Sequence, residues 1–162
     1  MTKWVLVVVL AFVTFPSNGI AQSENPLVGT WKLVSAKDTT DKGEVKDAFG
    51  PNPTGFLTYT ADGRMMGIIT NGGRKPLSIN DSRSAPAEER AEAFSTMIAY
   101  AGRYTYTGDK VIHHVEISYM QNNVNTDQVR YIVKLEGNRL ILRTPSKLEL
   151  VWERLTSETD GR

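Results

Sequence analysis

The chain of 162 residues contains no cysteine. This absence excludes disulfide bonds, thiol nucleophiles and zinc sites that use cysteine ligands. A protein that is exported without disulfide bonds must be held together by its hydrophobic core alone. Among exported proteins, this composition fits the bacterial periplasm or the outside of a bacterium better than the disulfide-rich animal secretome.

The chain also lacks an excess of charge of one sign, with 19 Lys and Arg residues against 18 Asp and Glu residues. Without Lys3, which lies in an apolar N-terminal segment, 18 basic residues face 18 acidic ones. Nucleic-acid-binding domains need a basic stripe, and electrostatic docking on a membrane needs clustered positive charge. The composition therefore argues against nucleic acid and a membrane surface as partners.

The longest apolar run has only ten residues, from Trp4 to Val13. A basic residue precedes it, a Pro-Ser-Asn break follows it, and Gly-Ile-Ala then supplies the small residues that a signal peptidase needs. A membrane span takes roughly 20 apolar residues, so this run is too short to be one. The pattern predicts a secretion signal over residues 1–21, with an uncleaved anchor as the alternative, and export of one domain over residues 22–155.

Turn-forming residues divide this domain into short segments with alternating apolar residues, as is typical of β-strands. Asp62-Gly63 is a strong hairpin signal, and similar turns join most of the other segments. We count about eight strands. Consecutive hairpins of this kind predict an all-β fold, a single closed up-and-down antiparallel barrel. The polar tail over residues 156–162 is expected to be flexible.

One segment departs from the strand pattern. Four of its apolar residues recur at helical spacing, namely Phe94, Met97, Ile98 and Ala101. Pro86 suits a first helical turn and Gly102 can end a helix. The spacing predicts one α-helix over about 86–101, packed on the barrel wall or across its mouth.

The beginning and the end of the domain contain complementary residues. Gly29 allows a tight bend of the first strand, and Trp31 can plug one end of a barrel. In the last strand, alternation places Trp152 and Arg154 on the inward side. A buried guanidinium needs a partner, which the indole of Trp31 would provide by stacking. We assign structural roles to these residues and expect a container closed at one end.

The two histidines, His113 and His114, are adjacent in a strand-like segment and therefore point to opposite faces. Without a bulge they cannot bind one metal ion, and no third ligand lies at a useful spacing, so we predict no metal and no cofactor. Alternation places His113 on the inward face with Val111, Val115, Ile117 and Tyr119. It is either a neutral core histidine bonded to a tyrosine or backbone group, or a ligand anchor or general acid/base.

Arg130 is a candidate anion-binding or oxyanion-stabilising group beside His113. Simple alternation places it outside the barrel, with Val129, Tyr131 and Val133 inside. A bulge between Arg130 and Tyr131 would reverse this assignment.

Aromatic and methionine side chains are candidates for the cavity wall, because tyrosine in particular combines apolar area with a polar tip. The candidates are Phe56, Tyr59, Met65, Met66, Tyr104, Tyr106, Tyr119 and Tyr131. The alternative is that they fill the interior, since a barrel of eight strands has room for packed side chains or for one small ligand.

Four blocks of this sequence also resemble a known family, the bacterial and fungal lipocalin-like domain proteins. The first block is the opening strand over residues 25–36, and the second is GPNPTGFLTYTADGRM over residues 50–65. The third block is VIHHVE at 111–116, and the fourth is LEGNRL at 135–140. The resemblance covers roughly residues 25 to 155 and implies a calycin-type barrel. It implies no settled activity.

Three hypotheses for the function follow. The first is an exported barrel that binds a small, mainly hydrophobic or amphiphilic molecule, oriented by His113 and the tyrosines. The second is a cavity enzyme that transfers a proton in an isomerisation or cyclisation, with His113 as acid or base. The third is a structural or interaction domain with a filled interior. No hydrolase or phosphate-loop motif is present. The ligand and the oligomeric state stay open.

Overall fold

The computed structural model describes residues 25–156. The predicted signal over residues 1–21 and all but the first residue of the predicted tail lie outside this range. The elements in chain order are β1 (Gly29–Thr39), β2 (Val45–Asp47), β3 (Thr54–Tyr59), β4 (Arg64–Thr70), α1 (Ala87–Ser95), β5 (Met97–Tyr106), β6 (Lys110–Ser118), a short 3-10 turn (Gln121–Asn123), β7 (Asp127–Glu136), β8 (Arg139–Arg143) and β9 (Glu149–Arg154).

Eight of these strands close into an antiparallel barrel. From β3 to β9 each strand pairs with the next, and β1 pairs with both β3 and β9, which closes the ring. The short β2 pairs only with the end of β1 and adds a flap outside the ring. The predicted up-and-down barrel is confirmed. In the described residues, no helix has the length and apolar character needed to cross a membrane.

The two ends of the barrel differ. The hairpins β3–β4, β5–β6 and β7–β8 lie at one end, together with the start of β1 and the end of β9. We call this the closed end, because residues 25–28 and large side chains cover it. The long segment between β4 and β5, which contains α1, lies at the opposite end, where the barrel opens.

The predicted helix is wrong in its second half. The helix ends at Ser95, and Met97–Tyr106 forms β5, which pairs with β4 on one side and β6 on the other. Ile98 and Tyr100 face the core as alternate residues of this strand. Hydrogen bonds to two neighbouring strands outweigh the local helical spacing, because without β5 both neighbours would leave backbone groups unpaired.

Bulges in β6 and β7 change which side chains of these two strands point inward. In β6, Gly102 pairs with Val115 and Ala101 with Ile117, so Glu116 is an extra residue. Ile117 was expected inside but is 70% exposed, since the bulge reverses the alternation beyond it.

The bulge in β7 corrects the assignment of Arg130. Ile132 pairs with Leu142, and the next pair joins Lys134 to Ile141, so one residue of β7 is extra. Simple alternation that starts from the apolar C-terminal part of β7 ignores this extra residue. It therefore assigns the residues before the bulge, including Arg130, to the wrong face. Arg130 pairs with the buried Val111 and faces the interior.

Candidate functional site

The closed end is sealed by Trp31 and Arg154. Trp31 is fully buried, and its indole Nε1 donates to the carbonyl oxygen of Leu27 at 2.8 Å. The guanidinium of Arg154 lies over the indole, with Cζ 4.0 Å from the ring centroid, and donates to the carbonyl oxygens of Pro26, at 2.5 Å, and Val28. The stacking and the hydrogen bonds together satisfy a cation that would be costly to bury alone.

Gly29 makes room for this arrangement. Its φ of +132° lies in a region that residues with a side chain rarely adopt, and an added Cβ would lie 2.7 Å from Nη1 of Arg154. Gly29, Trp31 and Arg154, which sequence analysis singled out as structural, therefore meet at one place.

A cavity lies above this plug and opens at the other end of the barrel. Its enclosed volume is about 60 Å³. Its walls are mostly apolar and come from most of the strands. The lining residues are Phe49, Leu57, Gly67, Ile69, Ile98, Tyr100, His113, Arg130, Leu142, Thr144, Leu148, Leu150 and Trp152.

His113 is the buried polar residue of this site, with 1% of its surface exposed. Its Nε2 lies 2.7 Å from the hydroxyl of Tyr59, and its Nδ1 lies 2.9 Å from the hydroxyl of Tyr100. Burial, and secondarily the positive charge of Arg130, hold the pKa of His113 well below its usual range. The imidazole is therefore neutral at physiological pH, and one of its nitrogens accepts a hydrogen bond while the other donates.

The hydrogen-bond partners fix which nitrogen carries the proton. Tyr59 is buried, burial raises the pKa of its hydroxyl well above the usual range, and among the described residues only His113 can accept its proton. Tyr59 therefore donates to Nε2, because the other tautomer would leave a buried hydroxyl proton without an acceptor. It follows that Nδ1 is protonated and donates to the oxygen of Tyr100.

Arg130 completes the polar part of the cavity. Its Nη1 donates to the carbonyl oxygen of Val129 at 2.9 Å, and its Nη2 lies 3.5 Å from the hydroxyl oxygen of Tyr100. In the part of the chain that the structure describes, no carboxylate forms a salt bridge with Arg130. The cavity thus contains a guanidinium without an acidic partner.

Trp152 contributes a second unused donor. The residue lines the cavity and is 3% exposed, and its indole Nε1 has no hydrogen-bond partner in the described residues. The other inward tryptophan, Trp31, donates to a backbone carbonyl. A buried donor without an acceptor is uncommon in folded proteins and marks a place where a ligand or water can bind.

Three residues predicted to line the cavity face outward instead. Phe56, Met66 and Tyr131 are between 41% and 55% exposed. Phe56 pairs with the exposed Lys32, and Tyr131 pairs with Lys110 and Arg143, so these positions share the outer face of the sheet.

The other predicted tyrosines lie near the cavity without lining it. Tyr59 contacts His113 from below, and Tyr104 stacks edge-on against Tyr59 at 4.8 Å. The hydroxyl of Tyr104 donates to the carbonyl of Thr60 and accepts from the side chain of Asn25, which ties the N-terminal segment to the closed end.

Tyr106 and the buried Met65 belong to the core. Tyr119 stacks on Phe94 of α1, with ring centroids 5.2 Å apart, outside the cavity.

Tyr100 is a polar residue of the candidate site that sequence analysis missed. The predicted helix covered it, although Ile98, Tyr100, Tyr104 and Tyr106 alternate with small or polar residues as in a strand. This alternation was the signal that could have found it. Trp152 was expected to point inward but was not considered as a ligand contact.

Comparisons with known proteins agree with this architecture. The model of a family described as lipocalin-like domain matches residues 28–160 and so includes every strand. No curated protein matches the sequence. Within residues 25–156, no three His, Asp or Glu residues are grouped closely enough to hold a metal ion.

Two solved structures resemble the chain at low identity. A lipocalin-like protein from Bacteroides uniformis has 11% identity and a TM-score of 0.47, over 81% of this chain and 100% of that one. An uncharacterized protein from Bacteroides eggerthii has 12% identity and a TM-score of 0.45, over 80% of this chain and 99% of that one.

Proposed function

Because the chain belongs to the lipocalin-like domain family, we propose that it binds a small, mainly apolar molecule in the cavity of its barrel. The observation that carries this proposal is a cavity open at one end, with apolar walls and a few polar groups. Small-molecule sites have this composition.

The free interior limits the size of the ligand. The enclosed volume of about 60 Å³ is well below the roughly 300–1,000 Å³ of drug-sized ligand sites. By the same measure one water needs roughly 10–15 Å³. The interior thus holds several waters or a short chain or single ring of similar size. We therefore expect a small molecule and not a long-chain lipid.

The proposal includes export to the periplasm or the cell exterior. It is supported by the basic residue, the ten apolar residues and the small residues at the N-terminus. Native mass spectrometry of the protein purified from its own host tests both parts. We expect the mass of a chain that begins near Gln22 and an additional small molecule; the mass of the full chain without an added molecule would contradict both.

A catalytic role for His113 has less support. A general acid or base must reach its substrate with a free nitrogen, and tyrosine hydroxyls occupy both nitrogens of this ring. His113 lines the cavity, but both of its ring nitrogens are bonded to tyrosines, and it orients the hydroxyl of Tyr100. This arrangement fits a preformed binding site better than a proton-transfer centre.

Hexan-1-ol is a suitable neutral probe of the cavity. We expect saturable binding by calorimetry, with shifts in the NMR signals of the Ile69 and Leu150 methyl groups. Gly67→Leu should abolish binding, because a Cβ at Gly67 would lie 3.5 Å from Cδ1 of Leu57 and 3.7 Å from Cε1 of Tyr100, inside the cavity.

The matched control is Met66→Leu, which changes the neighbouring outward residue of the same strand. It should leave the affinity unchanged. The indole N–H signal of Trp31 reports whether each variant is folded. Absence of saturable binding, or equal binding by a folded Gly67→Leu variant, would rule out the cavity as the site.

A further inference from the structure

We propose that Arg130 and Tyr100, which meet in the lining of the cavity, form a carboxylate site, and that the ligand is a small apolar carboxylic acid. This inference rests on the proposed function and specifies the head group of the ligand. It follows from two donor groups in the lining whose hydrogen-bonding capacity is only partly used by the described residues.

The first donor is the guanidinium of Arg130. It lines an apolar cavity, and in the described residues no carboxylate bonds to it. One backbone carbonyl and one long contact to Tyr100 use only part of its five N–H donors. A partly desolvated cation gains most from an anion, and a carboxylate matches the fork of a guanidinium with two parallel hydrogen bonds.

The second donor is the hydroxyl of Tyr100, through the hydrogen-bond chain that begins at Tyr59. Tyr59 donates to Nε2 of His113, and Nδ1 donates to the oxygen of Tyr100. Arg130, the other neighbour of that oxygen, can only donate. Within the described structure the Tyr100 proton therefore has no protein acceptor and is free to bond to a ligand oxygen.

Both groups donate, and the residues that line the cavity include no Asp or Glu. A ligand with an amine head would bring a further donor to this pair and a second positive charge beside Arg130. An alcohol would satisfy some of the donors without compensating the charge. A carboxylate does both.

The experiment compares three probes of equal chain length on the full chain, namely hexanoate, hexan-1-ol and hexylamine, at pH 7.5. We expect hexanoate to bind about ten- to a hundred-fold more tightly than hexan-1-ol, as for hydrogen bonds to a charged group. Hexylamine should bind more weakly than either.

Two variants assign this preference to the site. Arg130→Gln and Tyr100→Phe should each reduce the preference for hexanoate over hexan-1-ol at least about five-fold. Arg139→Gln, which removes an exposed arginine of β8, is the control and should keep the preference.

The outcomes separate this inference from the proposed function. Equal binding of hexanoate and hexan-1-ol would overturn the carboxylate site and leave the apolar cavity in place. A preference that survives in both folded variants would also overturn it. Binding of none of the probes would overturn the proposed function, and the inference with it.

Discussion

The stability of the barrel should fall in mildly acidic solution because of His113. In the unfolded chain this histidine has a pKa of about 6.5. In the fold, burial and the charge of Arg130 lower its pKa well below that value. Above pH 6.5 the imidazole is neutral in both states, so it contributes no pH dependence. Between pH 6.5 and the folded pKa only the unfolded chain takes up a proton, which favours unfolding.

The size of the effect follows from linkage. One proton bound by the unfolded state alone lowers the free energy of unfolding by up to about 1.4 kcal/mol per pH unit. Urea melts at pH 7.5, 6.5 and 5.5 measure this slope. His113→Gln should be less stable at every pH, since it disturbs two hydrogen bonds, but it should lose most of the slope below pH 6.5.

The control is His114→Gln, which removes the neighbouring histidine on the outer face and should keep the slope. An NMR titration of His113 in the unmodified chain gives an independent reading, in which the ring signals should stay constant from pH 7.5 to 5.5. A midpoint near 6.5 in that titration, or an equal slope in His113→Gln, would refute the assignment of a neutral, buried imidazole.

Two further predictions concern the frame of the barrel. Trp31→Ala should lower the free energy of unfolding by roughly 3–5 kcal/mol in denaturant melts, as for a buried large aromatic. The control Val34→Ala, at a half-exposed position, should cost far less. A loss below about 1 kcal/mol for Trp31→Ala would show that the indole is not a plug. Gly102→Ala should lower the free energy of unfolding by roughly 2 kcal/mol or more, because the added Cβ would lie 2.0 Å from the backbone oxygen of His114. Gly67→Ala should be almost neutral, because its added Cβ would lie 3.5 Å from the nearest atom. Equal melting points for the two alanine variants would contradict this steric argument.

The sequence alone was sufficient to predict the strands, the hairpins and the barrel of this protein. Period-two alternation and turn residues specify the strands and hairpins, since both depend on neighbours close in the chain. The same alternation placed His113 and Trp152 inside correctly, because no bulge separates His113 from Val111 and Val115 or Trp152 from Leu150. The plug at the closed end could also be predicted from the sequence, because Gly29 and Trp31 lie two residues apart and the strand order brings Arg154 to the same end.

Only the tertiary structure decided the site. The residues around Tyr100 carry a helical and a strand-like spacing at once, and pairing with β4 and β6 selects the strand. Arg130 points inward because a bulge lies further along β7, where cross-strand pairing and not the local sequence determines the register. Arg130 and Tyr100 come from two strands far apart in sequence and meet only in the barrel. Whether a polar group has a partner depends on all the strands around it, so barrel closure determined which donors of the proposed site lack a protein acceptor in the described residues.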